Sequence, residues 1–443
     1  MLIHCSIPEC PKRPVRGGSG KGDKPCLPWY SHVQLAEVWD VPDFEEFDVI
    51  VVGAGWAGLA VSHDLALAGY RHVVYERDRI CETWRSQRWF AFRMNTPNVM
   101  TVLPGDRYEG TEPEGYMTRN DFVAMLEGYV RRYALPVREG VRVEAVRRVR
   151  GGFEARTSEG RSQARFVVAA TGNLNVPKRP ALSARLPKGL TQIDGSDYRR
   201  ARDLAPGALL VIGCGNSGGQ IAEDIALAGR QVFLSTGRNG RVPRTYRGRD
   251  IFLWLTETGR MAKPRDTASG RGLIGATHTI SLQSLSALGI TLLGRFSGVG
   301  EDGTIAFADT LADSASFGDA MSETLKREID AHIDQHRIDA PNQVPDPAET
   351  VAPRFPDPPI LSLDPGEAGI STIIWSTGFR GDFGWLQVDG ALDDRGDPVV
   401  RDCVSVPGVC FAGLDSLASL RSGTVLAAVE EASCIVRHIR ASG

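Results

Sequence analysis

Residues 47–76 read FDVIVVGAGWAGLAVSHDLALAGYRHVVYE, and residues 209–238 read LLVIGCGNSGGQIAEDIALAGRQVFLSTGR. Each stretch begins with a short β-branched or aliphatic run, passes through three glycines into an apolar helical pattern, and ends in a second short apolar run. This order of strand, glycine loop, helix and strand is that of the βαβ unit that binds dinucleotides. The sequence therefore predicts two dinucleotide-binding units.

The two stretches are copies of one another, because a shift of 160 residues without a gap aligns them. The shift also aligns Asp64 with Asp224 and one ALAG sequence with the other. A single GxGxxG motif often only turns the chain, but two copies in register predict a duplicated nucleotide-binding unit. The aligned glycines are Gly53, Gly55 and Gly58 in the first copy and Gly213, Gly215 and Gly218 in the second.

Each glycine has its own role in such a unit. The first makes the tight turn, the second lets the backbone approach a pyrophosphate, and the third lets the helix pack closely on the strand. The helix N-terminus then faces the phosphates. We therefore expect the residues that open each helix to contact the cofactor: Trp56 in the first copy, and Asn216 and Ser217 in the second.

The copies differ at the end of the second strand. The first ends in Glu76, whose carboxylate can accept hydrogen bonds from an adenosine ribose. The second has Thr236 there, followed by Arg238 and Arg244, and arginine can bind a 2′-phosphate that a carboxylate would repel. We predict FAD in the first unit and NADPH in the second. The alternative for Arg238 is an ordinary solvated loop charge.

Composition and charge exclude several classes of protein. The chain has 443 residues, of which 42% are hydrophobic, so it can form more than one core and is neither disordered nor fibrous. Its 51 basic and 54 acidic residues give a formal charge of -3, so we expect no nucleic-acid partner. Small-molecule partners are favoured, and the spacing of His, Cys and acidic residues suggests no metal site.

The chain contains no apolar run long enough for a membrane span, and its first residues lack the apolar middle of a secretory signal. We therefore expect a cytoplasmic protein. The eight cysteines are scattered and form no CxxC pair, so we expect most of them to be reduced. A disulfide reductase is disfavoured because no dithiol is available to take electrons from a flavin.

These patterns predict an α/β fold with two dinucleotide-binding (Rossmann-like) domains, in which the NADPH domain is inserted into the FAD domain. Two strand patterns with similar endings, at 166–172 and 373–378, enclose the second copy, and a Pro- and Asp-rich stretch precedes the later one. The predicted segments are a tail (1–44), the first part of the FAD domain (45–178), the NADPH domain (179–351) and the second part of the FAD domain (352–443).

Several short motifs together resemble the single-chain flavin-containing monooxygenases of class B type. Within this group, the closer resemblance is to bacterial flavoproteins often described as ion-transport-linked oxidoreductases, and it covers nearly everything from Phe47 onward. The motifs are GAGWAG at 53–58, Glu76, TWR at 83–85, NTPN at 95–98, ATG at 170–172, GCGNSG at 213–218, STGF at 376–379 and GLD at 413–415.

The resemblance implies that NADPH reduces FAD, that O2 adds to the flavin C4a carbon, and that one oxygen atom passes to a small organic substrate. N- or S-hydroxylation and Baeyer-Villiger oxidation both remain open. It further implies a catalytic role for Asn95 near the reactive edge of the flavin, a place in bacterial secondary metabolism, and a possible homodimer. The further residues that it assigns to FAD are Trp84, Arg85, Thr171, Gly172 and Asp415.

One departure from the family pattern keeps other functions open. These monooxygenases usually carry F-x-G-x-x-x-H-x-x-x-Y before the second glycine loop, but here only Tyr198 is kept and Asp194 stands at the histidine position. Imidazole and carboxylate differ in charge and in hydrogen-bond donors. The alternatives are an NAD(P)H-dependent flavin reductase or oxidase without oxygen transfer, and a non-catalytic flavin-binding redox sensor.

Overall fold

Both copies of the repeat fold into strand, helix and strand. The computed structural model describes residues 44–265, 271–416 and 418–442, so the predicted tail lies outside the described residues except for Phe44. From there to residue 178, the elements are β1 (Glu45–Val52), α1 (Trp56–Leu67), β2 (His72–Tyr75), α2 (Glu82–Ser86), α3 (Arg119–Arg132), β3 (Val137–Arg138), β4 (Val143–Val149), β5 (Gly152–Thr157), β6 (Gly160–Ala169) and β7 (Val176–Pro177).

The second copy and its surroundings follow. The elements that precede residue 352 are β8 (Thr191–Asp194), β9 (Ala208–Ile212), α4 (Asn216–Leu227), β10 (Val232–Ser235), β11 (Asn239–Arg241), β12 (Thr245–Tyr246), β13 (Arg249–Asp250), α5 (Ile251–Glu257), β14 (Arg271–Leu273), α6 (Leu282–Ala287), β15 (Thr291–Leu293), β16 (Phe296–Val299), β17 (Ile305–Phe307), α7 (Leu311–His336) and α8 (Pro347–Thr350). The later elements are β18 (Ser362–Leu363), β19 (Ile370–Trp375), β20 (Phe379–Arg380), β21 (Leu386–Gln387), β22 (Val409–Phe411) and α9 (Ala428–Ser442).

Two separate sheets carry the two copies. The first has the order β21-β4-β5-β6-β1-β2-β3, with β22 also paired to β6, and the second has the order β15-β10-β9-β19-β8. Strand β9 is apolar and buried throughout, and β1 is apolar and buried over its second half, because helices and neighbouring strands cover them. The predicted α/β fold with two Rossmann-like units is confirmed.

The repeat extends to the strand register. In the first copy Val49 pairs with His72 in parallel, and in the second Leu209 pairs with Val232. These four residues are related by the same shift of 160 that aligns the two sequences. The backbone pairing of the two units is therefore equivalent, and differences between their sites arise from side chains and loops.

Strand pairing places β19 in the second sheet, whereas the predicted boundary at 352 assigns it to the first domain. Ile373 pairs with Leu210 of β9, just as Val167 of β6 pairs with Ile50 of β1. Each copy thus has its own neighbouring strand that ends in Thr-Gly. Sequence cannot assign such a strand to a sheet, because a buried parallel strand has the same apolar pattern in either. The domain boundaries themselves stay a prediction.

Local signals explain where two helices begin. Helix α3 begins with a capping box in which Thr118 and Asp121 exchange side-chain and backbone hydrogen bonds. The C-terminal helix α9 begins at Ala428. Gly423 has φ +74 and Thr424 is extended, so the chain cannot enter a helix before this point.

A disulfide joins Cys403 to Cys434 and so ties the loop before β22 to α9. The expectation of reduced cysteines is wrong for this pair, because tertiary packing brings together two residues 31 positions apart. The cysteines Cys81, Cys214 and Cys410 are free and buried. Within the ranges that the structure describes, no helix is both long enough and apolar enough to cross a membrane.

Candidate functional site: two glycine loops and a polar cavity

The first glycine loop needs glycine for two different reasons. Gly53 has φ +105, and a Cβ there would lie 2.8 Å from the carbonyl oxygen of Ala170. A Cβ on Gly58 would overlap the carbonyl oxygen of Gly53, so helix and loop could not pack together. A Cβ on Gly55, by contrast, meets nothing within 4 Å. The space above Gly55, at the N-terminus of α1, is therefore open to a ligand.

The second glycine loop has the same geometry. Gly213 has φ +103 and faces the carbonyl oxygen of Ser376, Gly218 packs on Gly213, and Gly215 has open space above it. Ser376 follows β19 just as Ala170 follows β6. The two strands that end in Thr-Gly therefore serve the two glycine loops separately, one each.

A cavity of about 550 Å³ lies against the first glycine loop. Its walls also come from the loop around α2, from residues 170–176 after β6, and from Asp382, Trp385 and Gly413. The residues assigned to FAD from the sequence that line it are Gly53, Gly55, Trp56, Glu76, Trp84, Thr171 and Gly172. The fold thus brings these separate motifs to one cavity.

Three polar atoms in the cavity wall are buried without a hydrogen-bond partner among the described residues: Oε1 of Gln87, Oγ1 of Thr171 and Oδ1 of Asn175. Buried polar groups in proteins are nearly always hydrogen-bonded, so these three atoms are available to a polar ligand or to water in the cavity. A large ligand with several polar edges, such as FAD, fits this wall. Gln87 and Asn175 were missed from the sequence because their loops show no periodic pattern.

Glu76 is held at the cavity edge by backbone amides. Its Oε2 accepts from Ala54 N at 2.8 Å, and its Oε1 accepts from Asp78 N at 3.1 Å. Burial raises the pKa of this carboxyl group, and the two amide hydrogen bonds lower it in part. Because each carboxylate oxygen can accept further hydrogen bonds, the group can also bind ribose hydroxyls.

Other predicted FAD residues lie behind the cavity wall. The guanidinium of Arg85 pairs with Glu127 and donates from Nε to the Ile80 carbonyl at 3.1 Å. Asp415 pairs with Arg265 at 2.7 Å, while its amide donates to Oδ1 of Asn173, which lines the cavity. In this structure, Arg85 and Asp415 support the wall.

The predicted residues of the second site have distinct environments. Arg238 is exposed, with its guanidinium 4.3 Å from the centre of the Phe317 ring, so it is accessible to a phosphate. Thr236 is buried, and its hydroxyl donates to the Leu293 carbonyl at 2.8 Å. Asn216 Oδ1 accepts from Ile274 N at 3.1 Å, and Ser217 is partly buried at the start of α4.

Arg244 does not fit the role of a phosphate ligand that we predicted for it. Its side chain is 2% exposed, Nη2 donates to Asp250 at 2.5 Å, and Nη1 donates to the carbonyl of Asn95 at 2.8 Å. Asp250 also accepts from the Tyr116 hydroxyl at 2.6 Å, and burial raises its pKa against the opposing effect of Arg244. Arg244 is therefore held in a buried ion pair within the second half, and its hydrogen bond to Asn95 connects that pair to the first half.

Comparisons with known proteins agree with this geometry. Residues 50–250 match the pyridine nucleotide-disulphide oxidoreductase family. The uncharacterized oxidoreductase CzcO of Bacillus subtilis is 26% identical over 371 residues, which cover 83% of this chain and 92% of that protein. The chain is homologous to the CzcO-like oxidoreductases. As one of their homologues it is an oxidoreductase, and its resemblance to class B-like flavoproteins is confirmed.

The chain is also similar to a plant monooxygenase and, in fold, to two solved oxidoreductases. The indole-3-pyruvate monooxygenase YUCCA1 of rice is 30% identical over 189 residues, 42% of this chain and 46% of that protein. A flavin-containing monooxygenase from Stenotrophomonas maltophilia has a TM-score of 0.61 at 19% identity and covers 90% of this chain and 99% of that one. The bacillithiol disulfide reductase of Bacillus cereus has a TM-score of 0.60 at 15% identity, with coverage of 90% and 100%. The structural matches show the fold that this chain shares with these two enzymes.

The segment that departs from the family pattern is held by side-chain contacts at Asp194 and Tyr198. Asp194 ends β8 and pairs with Arg179 at 3.0 Å. Tyr198 is fully buried, and its hydroxyl donates to Asp224 of α4 at 2.5 Å. The tyrosine thus supports the helix of the second glycine loop, and Asp194 makes an ion pair that a neutral imidazole could not.

Glu431 on α9 carries a partly buried carboxyl group next to the cavity. Its Oε2 accepts from the amide of Gly413, a cavity-lining residue, at 2.7 Å. Burial raises the pKa of Glu431 to about 7, against an ordinary value of 4.5. Between these values the unfolded chain loses a proton that the folded protein keeps, so the free energy of unfolding falls as pH rises, by up to about 3 kcal/mol.

We expect Glu431→Gln to stabilise the protein relative to the wild type at pH 8 and to do so much less at pH 5. Glutamine keeps an oxygen for the Gly413 amide and carries no charge at either pH. Denaturant unfolding at both pH values measures the difference, and Glu430→Gln, at an exposed neighbouring position, is the control. An equal effect of Glu431→Gln at pH 5 and pH 8 would contradict this assignment.

Proposed function

We propose that this chain is an FAD- and NADPH-dependent monooxygenase that transfers one oxygen atom from O2 to a small organic substrate. The observation that carries the proposal is the pair of equivalent glycine loops with unlike endings, a carboxylate at the first and an exposed guanidinium at the second. A protein that only bound a flavin would have no need of the second loop. The similarity to monooxygenases supports the choice of reaction.

The cavity residues have separable roles in binding FAD. The amides at the N-terminus of α1 and the bare backbone of Gly55 would bind the pyrophosphate, and Glu76 would bind the adenosine ribose. Gln87, Thr171 and Asn175 would pair their free polar atoms with the cofactor. Bound FAD supplies the hydride-accepting and oxygen-activating chemistry, and the protein positions it and excludes water.

The second glycine loop would bind NADPH, with Asn216 and Ser217 at the N-terminus of α4. Arg238 is the cation that we assign to the 2′-phosphate, because Arg244 is buried in an ion pair. Arginine binds phosphate through two parallel hydrogen bonds, each strengthened by charge.

We expect Arg238→Ala to raise the KM for NADPH by about tenfold to a hundredfold and to leave the KM for NADH nearly unchanged. NADH lacks the 2′-phosphate that Arg238 would bind. Steady-state oxidation of both nucleotides measures the ratio, with Arg327→Ala, an exposed arginine on α7, as the control. Equal changes for NADPH and NADH would remove the argument for a phosphate contact.

The decisive test of the reaction is to reduce the FAD-loaded protein with NADPH without air and then mix it rapidly with O2. A long-lived absorption of oxygenated flavin before return to the oxidised spectrum would support oxygen transfer and justify screening amines, sulfides and ketones. Direct return to oxidised flavin with release of hydrogen peroxide would favour the second candidate.

That second candidate is an NAD(P)H-dependent flavin reductase or oxidase. It is favoured by the replacement of the family histidine by Asp194, which is committed to an ion pair with Arg179. The disulfide Cys403–Cys434 does not itself support dithiol chemistry at the flavin, since neither cysteine lines the cavity.

A further inference from the structure

Gln220 lies on α4, two residues beyond the last glycine of the second loop, and is 7% exposed. Its amino group donates to two acceptors, the carbonyl oxygen of Ile274 at 2.8 Å and Oδ1 of Asn95 at 3.1 Å. Gln220 therefore connects the helix of the second loop to the asparagine of the NTPN motif, which belongs to the first half of the chain.

These contacts determine which way the Asn95 amide faces. A main-chain carbonyl can only accept a hydrogen bond, so Gln220 must present its amino group to Ile274. The second hydrogen of that amino group is donated to the Asn95 side chain. Asn95 must therefore present its oxygen, Oδ1, to Gln220. The Nδ2 group of Asn95 has no partner within the described part of the chain, and Asn95 is only partly buried, so this end of the amide can donate to a ligand or to solvent.

The backbone of Ile274, to which Gln220 donates, is bound to α4 at two points. Its carbonyl accepts from Gln220, and its amide donates to Asn216, one helical turn earlier on α4, at 3.1 Å. The main chain of Asn95 is also held from the second half, since Arg244 donates to its carbonyl at 2.8 Å. Both the backbone and the side chain of Asn95 are thus bound by residues beyond the second glycine loop.

We propose that Gln220 is a positioning residue that holds the Asn95 amide with its nitrogen free to donate. The consequence for FAD rests on the proposed function and on the role near the reactive edge of the flavin that the family resemblance implies for Asn95. Through α4, the same contact links the NADPH loop to Asn95.

The first test compares Gln220→Glu with wild type in the FAD-loaded protein, by the reduction and O2-mixing experiment. A carboxylate cannot donate, so the Asn95 amide should turn to give its nitrogen to Glu and its oxygen to the ligand. We expect the oxygenated flavin to decay about fivefold to tenfold faster, as for loss of one hydrogen bond. Asn95→Ala should show a similar change, and adding Gln220→Glu to it should change nothing further.

The matched control is Gln192→Glu. Gln192 also donates from Nε2 to a main-chain carbonyl, that of Ser183 at 3.2 Å, and it lies in β8 without contact to Asn95. If Gln192→Glu accelerated the decay equally, or if Gln220→Glu matched wild type while Asn95→Ala did not, positioning by Gln220 would be overturned.

A second test does not depend on flavin chemistry. Melting temperatures of Gln220→Leu, Asn95→Ala and the double variant form a double-mutant cycle. We expect the melting temperature of the double variant to fall by less than the sum of the falls in the two single variants. Asn95→Asp keeps an acceptor for Gln220 but no donor, so it should keep this thermal coupling and still accelerate the decay. Additive melting temperatures would overturn the contact. If Asn95→Ala left the flavin trace unchanged while the coupling persisted, the role of Asn95 in the proposed function would fail and the contact would stand.

Discussion

Gly215→Trp should leave FAD bound and reduce the rate of flavin reduction by NADPH at least about a hundredfold. The physical reason is that a side chain on Gly215 meets nothing within 4 Å, and that the backbone there has φ -77, which any residue adopts. The indole therefore adds no strain, but it fills the space at the N-terminus of α4 where the pyrophosphate would lie. Anaerobic stopped-flow reduction measures the rate, and the absorbance ratio of flavin to protein measures FAD content.

Gly189→Trp is the matched control, because that exposed glycine also has open space above it and lies outside both loops. The flavin of this variant should be reduced by NADPH at the wild-type rate. Loss of FAD from Gly215→Trp would mean that the second loop is not a separate site. Normal reduction by Gly215→Trp would mean that NADPH does not bind there.

Gly55→Trp should abolish FAD binding and leave a folded protein, with affinity reduced more than about a thousandfold. The indole would stand in the 550 Å³ cavity at the N-terminus of α1, and Gly55 has φ -80, so the substitution introduces no backbone strain. Flavin content after purification, fluorescence titration with FAD, and far-UV circular dichroism measure binding and fold together.

Gly128→Trp on α3, where a side chain also meets open space, is the control and should keep its FAD. The neighbouring Gly58 is unsuitable for this test, since a Cβ there overlaps the carbonyl of Gly53 and would disturb the fold itself. If Gly55→Trp retained FAD at wild-type affinity, the assignment of FAD to the first loop would be wrong.

The candidate cofactor sites could be predicted where the signal is local. A glycine triad, a following helix and an acidic residue at the end of the second strand are all read from one continuous stretch. For this reason Gly53, Gly55 and Glu76 were predicted, and the structure places all three at the same cavity. Their roles toward FAD stay a prediction that the Gly55 variant tests.

The second site was predicted less completely because its chemistry depends on burial. Arg238, the last residue of the second copy, and Arg244, shortly after it, are both candidate phosphate ligands in the sequence. Only the fold places Asp250 against Arg244 and leaves Arg238 exposed. Gln220 has no distinctive pattern at all, since its two acceptors come from distant parts of the chain.

The sequence by itself determined the two equivalent βαβ units, because their strands, loops and helices depend on short-range periodicity and on glycine. Even the strand register follows the shift of 160 residues between the copies. Only the tertiary structure decided that β19 serves the second loop, that Cys403 meets Cys434, and that Arg244 contacts Asn95. These facts depend on pairing between segments far apart in the chain, and such pairing depends on the surface that the partner offers, which no local pattern contains.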